Sequence, residues 1–147
     1  TSTKTEGEWK VIGCLDGTNN RIDVTNNSNY PVTVDMSFQK EEGRFNTVTT
    51  DTSVRGVFNS DKDALATNIN GSSASACGIV GTPSINLASA DTEDKYTGTG
   101  TGHADINDGK TSVTMYFGLW GIPDKDKAQK DGAKAGTITV SVKPYQK

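Results

Sequence analysis

The chain has 147 residues, enough for one domain with its own core, which at this size buries about 70% of the surface its unfolded form exposes. Only 32% of residues are hydrophobic, and they fall in short alternating runs among Thr, Ser, Asn and Gly, a pattern of strands and turns that excludes disorder and a helical bundle. A formal charge of −3 with no Lys/Arg cluster among aromatics excludes a nucleic-acid footprint, and no apolar run approaches the ~20 residues of a membrane span.

Residues 1–8 contain no aliphatic or aromatic side chain and are expected to form a flexible tail or an edge, leaving 9–147 as a single β-sandwich domain. The first ten residues also lack the apolar stretch of a signal peptide, so an exported protein would be represented here by its mature chain. A first strand is predicted over 8–15, then a turn at Asp16 and Gly17 and a second strand over 21–25. Asn26 to Pro31 is a run of turn formers ending in a proline that cannot donate to a ladder. The run that follows alternates Val32, Val34, Met36 and Phe38 without a fault, the pattern of a strand with one buried face.

Weaker strands are predicted over 44–50 and 53–58, interrupted by Asp51 and Gly56. Ser60, with Asp63 three positions on, reads as the N-cap of a helical turn. Strands are predicted again over 77–80 and 84–88, followed by a Thr/Gly-biased loop over 91–102 and a turn at 107–109. The strand over 112–120 sets Val113, Met115, Phe117 and Leu119 on one face and Tyr116 and Trp120 on the other. A long charged connection over 121–136 leads to the last strand, in which Ile138, Val140 and Val142 are spaced to occupy one buried face. Short alternating strands between turn signals make the predicted fold all-β, an antiparallel sandwich.

Catalytic and metal constellations are thin. Gly98, Gly100 and Gly102 have no strand leading in and no Lys-Ser/Thr after them, so a loop is favoured over a phosphate cradle. Asp105, Asn107 and Asp108 lack the register and distal Glu of a calcium loop, and the Asp61/Asp63 and Asp124/Asp126 pairs read as solvated. His103 is the one histidine, which excludes a multi-histidine centre, and no Gly-x-Ser-x-Gly elbow accompanies it. No catalytic residue, metal site or cofactor is expected. Cys14 and Cys77 stand far apart among polar neighbours, consistent with one disulfide in an oxidising compartment or with two buried thiols. Tyr116 and Trp120, opposite the apolar face of their strand, make either a surface for stacking a sugar or contacting a protein, or a face covered by a second layer.

The close of the chain, Ala135-Gly-Thr-Ile-Thr-Val-Ser-Val-Lys-Pro-Tyr-Gln-Lys147, resembles the ends of bacterial fimbrial subunits assembled by the chaperone–usher route. The matching positions are Gly136, Ile138, Val140, Val142 and Tyr145, a glycine before an alternating final strand that ends near an aromatic. The resemblance implies an immunoglobulin-like sandwich completed by a strand from another subunit, a role in surface adhesion without catalysis, and a location on the cell surface or outside the cell. It also implies partners: other fimbrial subunits or a periplasmic chaperone, and a host-surface receptor or glycan. Residues 1–8 carry no alternating apolar side chains with which to fill a neighbour's groove, which fits a subunit that receives a strand and gives none, or a self-complete secreted domain. The alternative function is a secreted carbohydrate- or lipid-binding module using Tyr116 and Trp120.

Overall fold

Period-two alternation carries through into several of the strands, β4 and β8 above all. The computed structural model describes residues 2–5, 8–11, 15–41, 54–69, 73–90, 106, 109–121 and 134–146, with the backbone alone for 2–5 and 8–11. In chain order the elements are β1 (Ser2–Thr5), β2 (Glu8–Val11), β3 (Arg21–Thr25), β4 (Val32–Lys40), β5 (Arg55–Asn59), α1 (Lys62–Asn68) and β6 (Ile79–Val80). After these come β7 (Ser84–Leu87), β8 (Ser112–Trp120) and β9 (Gly136–Pro144). β1 and β2 form a two-stranded ribbon, while β3-β8-β5-β6 and β7-β4-β9 are the two larger sheets, antiparallel throughout their strand pairings.

The two larger sheets pack face to face as an all-β sandwich. Val34 and Met36 of β4, Leu87 of β7, Phe58 of β5 and Met115 of β8 are the buried centre, flanked by Ile22, Val24, Phe38, Val113 and Phe117. Phe117 links the layers, its ring centroid 5.1 Å from Phe38 and 5.2 Å from Phe58 in tilted arrangements that aromatic quadrupoles favour. The chain passes between layers from β6 to β7 through 81–83, and the Met36 amide donates to the Pro83 carbonyl at 3.0 Å. This short link places β6 and β7, each an edge strand, on the same side of the sandwich. β3 and β9 are the other two edge strands. β8 and β9 lie in different layers, so the connection between them is a crossover and not the hairpin that adjacency in sequence suggests.

A third layer covers the outer face of the larger sheet. Asp61 caps α1, its carboxylate accepting from the Asp63 and Ala64 amides at 2.9 and 3.1 Å, so the cap lies one residue beyond Ser60. The Asp61/Asp63 pair is thus a helix start. A seven-residue helix is too short to persist without packing, and Leu65 supplies that packing by burying itself with Val57, Ala74, Cys77 and Trp120. Gly118 makes room: a Cβ there would lie 3.1 Å from Ile69 Cδ1 and 3.3 Å from Leu65 Cδ1.

Of the tail or edge expected at the start of the chain, residues 2–5 form an edge, pairing with β2 in the register Ser2↔Val11 to Thr5↔Glu8. The expectation for the last strand is corrected. Ile138, Val140 and Val142 do share one face, opposite Phe38, Met36 and Val34, yet they are 38%, 40% and 56% exposed. The cause is lateral position. Met36 and Val34 lie fully beneath the facing sheet, and one strand spacing of about 4.8 Å carries the same face of β9 past its cover.

Removing buried volume from β4 or β7 should therefore cost far more than removing it from β9. Met36→Ala and Leu87→Ala are expected to lower stability by about 2–5 kcal/mol, and Val142→Ala by clearly less. Thermal or denaturant unfolding of the three variants measures the difference, and equal losses would show β9 to be covered.

Candidate functional site

β9 is fixed at both ends and left open along one side. At its start, a Cβ on Gly136 would stand 2.4 Å from both the Phe38 ring and the Gln39 carbonyl, so only glycine lets the backbone approach so closely. Just before it, Glu41 donates its amide to the Ala135 carbonyl at 2.9 Å, and Lys134 Nζ lies 3.3 Å from its carboxylate. Beyond the other end, Tyr145 is buried with Ala88 and Ile106, and its amide donates to the Pro31 carbonyl at 2.9 Å. The glycine and the aromatic of the sequence motif are thus the two pins of the strand.

The pin at Tyr145 rests on a polar knot that periodicity does not show. Asn26 is buried at the end of β3, and its Nδ2 donates to the Tyr30 carbonyl at 2.7 Å and the Ala88 carbonyl at 2.9 Å. Its Oδ1 accepts from the Ser28 amide and hydroxyl, while its own amide donates to the Thr111 carbonyl at 2.7 Å. One side chain therefore joins the ends of β3 and β7 and the turn into β4.

Between the pins, one edge of β9 pairs with β4 over nine register positions from Gly136↔Lys40 to Pro144↔Val32. Its other edge has no strand partner among the described residues. The outward face carries Thr137, Thr139, Ser141 and Lys143, and Lys143 Nζ lies 3.2 Å from Asp35 Oδ2 on β4. A hydrogen bond from Ser84 on β7, and secondarily Lys143, hold the Asp35 carboxyl below the ordinary aspartate range. Asp35 thus ties the three strands of its sheet together on the outer face.

Tyr116 and Trp120, the candidate binding residues, lie under the third layer. Trp120 is only 7% exposed and Tyr116 is half-buried, because α1 and the turn at Ala74–Ala76 close over them. Cys77 lies in the same cluster as a free buried thiol, donating to the Asn68 carbonyl at 3.0 Å, with burial pushing its pKa up. The Cys14–Cys77 bridge expected from the sequence is not formed here. Cys14 lies outside the described residues, as do His103, Gly98, Gly100, Gly102, Asp105, Asn107, Asp108, Asp124, Asp126, the strand predicted over 44–50 and residues 122–133 of the charged connection. Among the described residues no group of three or more His, Cys, Asp and Glu could hold a metal ion, and no helix is long and apolar enough to cross a membrane.

The chain matches no family model, no curated protein and no solved structure.

Two measurements probe how the edge strand is held. Asn26→Ala should lower stability by about 1–3 kcal/mol, because the Tyr30 and Ala88 carbonyls lose their donor at a buried site. Since the folded-state pKa of Asp35 is depressed, its contribution to stability is present above about pH 4 and is lost as pH falls through the lowered value. An NMR titration should place the Asp35 midpoint below the ordinary range and show it rising in Ser84→Ala. A midpoint unchanged by that substitution would remove Ser84 as the main cause.

Proposed function

We propose that this protein is an extracellular adhesion or fimbrial subunit that works by assembly, accepting a strand from a partner along the open edge of β9. The observation that carries the reading is the combination on one strand of an edge without a strand partner among the described residues and Ile138, Val140 and Val142 left part-exposed on the inner face. An added strand would satisfy the backbone groups of that edge and cover the three β-branched side chains. Completing their burial would contribute about 1 kcal/mol each, the uncovered part of the ~1.5–3 kcal/mol for a whole side chain. The motif from Gly136 to Tyr145 that resembles fimbrial subunits is also the strand with this open edge.

Residues 1–8 supply no apolar side chains suited to filling such a groove, so this stretch is given no donor role. Other subunits, or a periplasmic chaperone before assembly, are the partners that fit an edge of this kind, with a host-surface receptor or glycan as the target of adhesion. The work is done by backbone pairing and apolar cover, and the reading is non-enzymatic. The alternative, a secreted carbohydrate- or lipid-binding module using Tyr116 and Trp120, has less support, since Trp120 is buried and Tyr116 half-buried beside α1.

Assembly is tested on native material by size-exclusion chromatography and electron microscopy, beside a Val140→Asp variant. Val140 is 40% exposed, so the variant should remain folded, with a melting temperature within a few degrees of the parent, yet fail to join higher-order species. A parent that is monomeric in native material, or a variant that assembles as well as the parent, would overturn the reading.

We also infer a Cys14–Cys77 disulfide in the exported protein. Leu15, the residue after Cys14, packs against the cluster that contains Cys77, which supports a reach short enough for a bond. Intact mass with and without reductant should differ by two hydrogens. Alkylation of both thiols without prior reduction would sink it.

A further inference from the structure

β9 pairs with β4 in an unbroken register from Gly136↔Lys40 to Pro144↔Val32, and a bond just beyond each end fixes its phase. The Tyr145 amide donates to the Pro31 carbonyl, and the Ala135 carbonyl accepts from the Glu41 amide, both at 2.9 Å. In an antiparallel ladder a residue sends its N–H and its C=O to the same side, and successive residues alternate. Thr137, Thr139, Ser141 and Lys143 therefore face β4, while Gly136, Ile138, Val140, Val142 and Pro144 turn their backbone groups to the other edge, which has no strand partner among the described residues. Pro144 agrees with this phase, because its missing N–H falls on the side where the β4 ladder asks for no donor.

The edge has a centre of symmetry in its chemistry. Gly136 and Pro144 lie equally far from Val140, so a second β9 laid antiparallel with Val140 opposite Val140 brings every outward-turned residue onto another. Val140 exchanges both backbone bonds with its twin, Ile138 does so with Val142 on each side of the axis, and the Gly136 N–H meets the Pro144 carbonyl at either end. The β-branched side chains then meet across the seam on the inner face, where they are 38–56% exposed in the single chain. The outer face sets Thr139 opposite Ser141 and Thr137 opposite Lys143. No like charges oppose each other, since Lys143 is the one charged residue of β9 and already lies 3.2 Å from Asp35. A slip of two residues one way sets Pro144 against Val140 inside the ladder, and the other way sets Val142 opposite Lys134, outside the strand.

We propose that β9 pairs with β9 of a second copy of this chain about a twofold axis at Val140, joining the three-stranded sheets edge to edge, and that this dimer holds the edge until a donated strand displaces it. It rests on the same open edge as strand acceptance, but it needs no other subunit.

The test is sedimentation of the purified full chain beside amide exchange followed by NMR. A dimer is expected with a Kd on the order of 10 μM, the weak end suited to an interface below about 1,200 Å². Between about 0.05 and 1 mM, the falling free fraction should slow exchange of the Ile138, Val140 and Val142 amides by about fourfold and leave Thr137, Thr139, Ser141 and Lys143 unchanged. This comparison uses the parent alone and stands even where a variant does not fold. Val140→Lys and Val140→Asp set like charges against each other at the axis, so each should be monomeric, and an equal mixture of the two should recover the dimer. A parent that is monomeric at about 1 mM, roughly a hundredfold above the expected Kd, slowing at Thr139 and Ser141 in place of Val140, or a folded mixture that stays monomeric would overturn the proposal. Failure of the dimer while native material still assembles would sink self-pairing alone. Native material with no species beyond the dimer would sink strand acceptance and leave self-pairing standing.

Discussion

The sandwich depends on β4 being paired along both edges while its inner face is sealed. β7 takes one edge from Val32 to Asp35, β9 takes the other from Val32 to Lys40, and Val34 and Met36 are wholly buried beneath the facing sheet. A strand in this position is laddered on both sides from Val32 to Asp35, and it has no freedom of register, since a one-residue slip would turn Val34 and Met36 outward and Thr33 and Asp35 inward. Several neighbouring segments are placed by contact with it. The Met36 amide draws in the β6–β7 link, Phe38 reaches Phe117 across the core, and the Pro31 carbonyl before it anchors Tyr145.

Most of the strands were legible because alternation at period two reports which side chains share a face. Val32 to Phe38 and Val113 to Leu119 read correctly for that reason. What alternation does not encode is a strand's place within its sheet. Ile138, Val140 and Val142 have the same pattern as Val34 and Met36, but a central strand is covered and an edge strand is not. The cover over the outward face of β8 was not legible either: Leu65 of α1 and Ile69 just after it pack with Tyr116 and Trp120 over Gly118. Asn26 was hidden for another reason, since a run of Asn and Ser reads as a solvated turn whether or not one member is buried with all its polar groups engaged.

An open edge is a hazard as well as an opportunity, and β9 bears signs of both. Its outward face is Thr, Thr, Ser and Lys, polar side chains that keep water on that side, and Lys143 sets a charge near the C-terminal end of the strand. Its inward face retains three β-branched side chains, which a strand selected only for solubility would have lost. The strand thus combines a polar outer face with an inner one that is only partly covered.

The nine register pairs between β4 and β9 also set how the strand responds to force. Ladder bonds run across the strands, so a pull along the axis of β9 loads them side by side and in shear. They share the load and must yield together. A pull at right angles, lifting one end of the strand away from β4, meets the same bonds one after another. The last strand is therefore a firm tether under tension and a poor one under peeling.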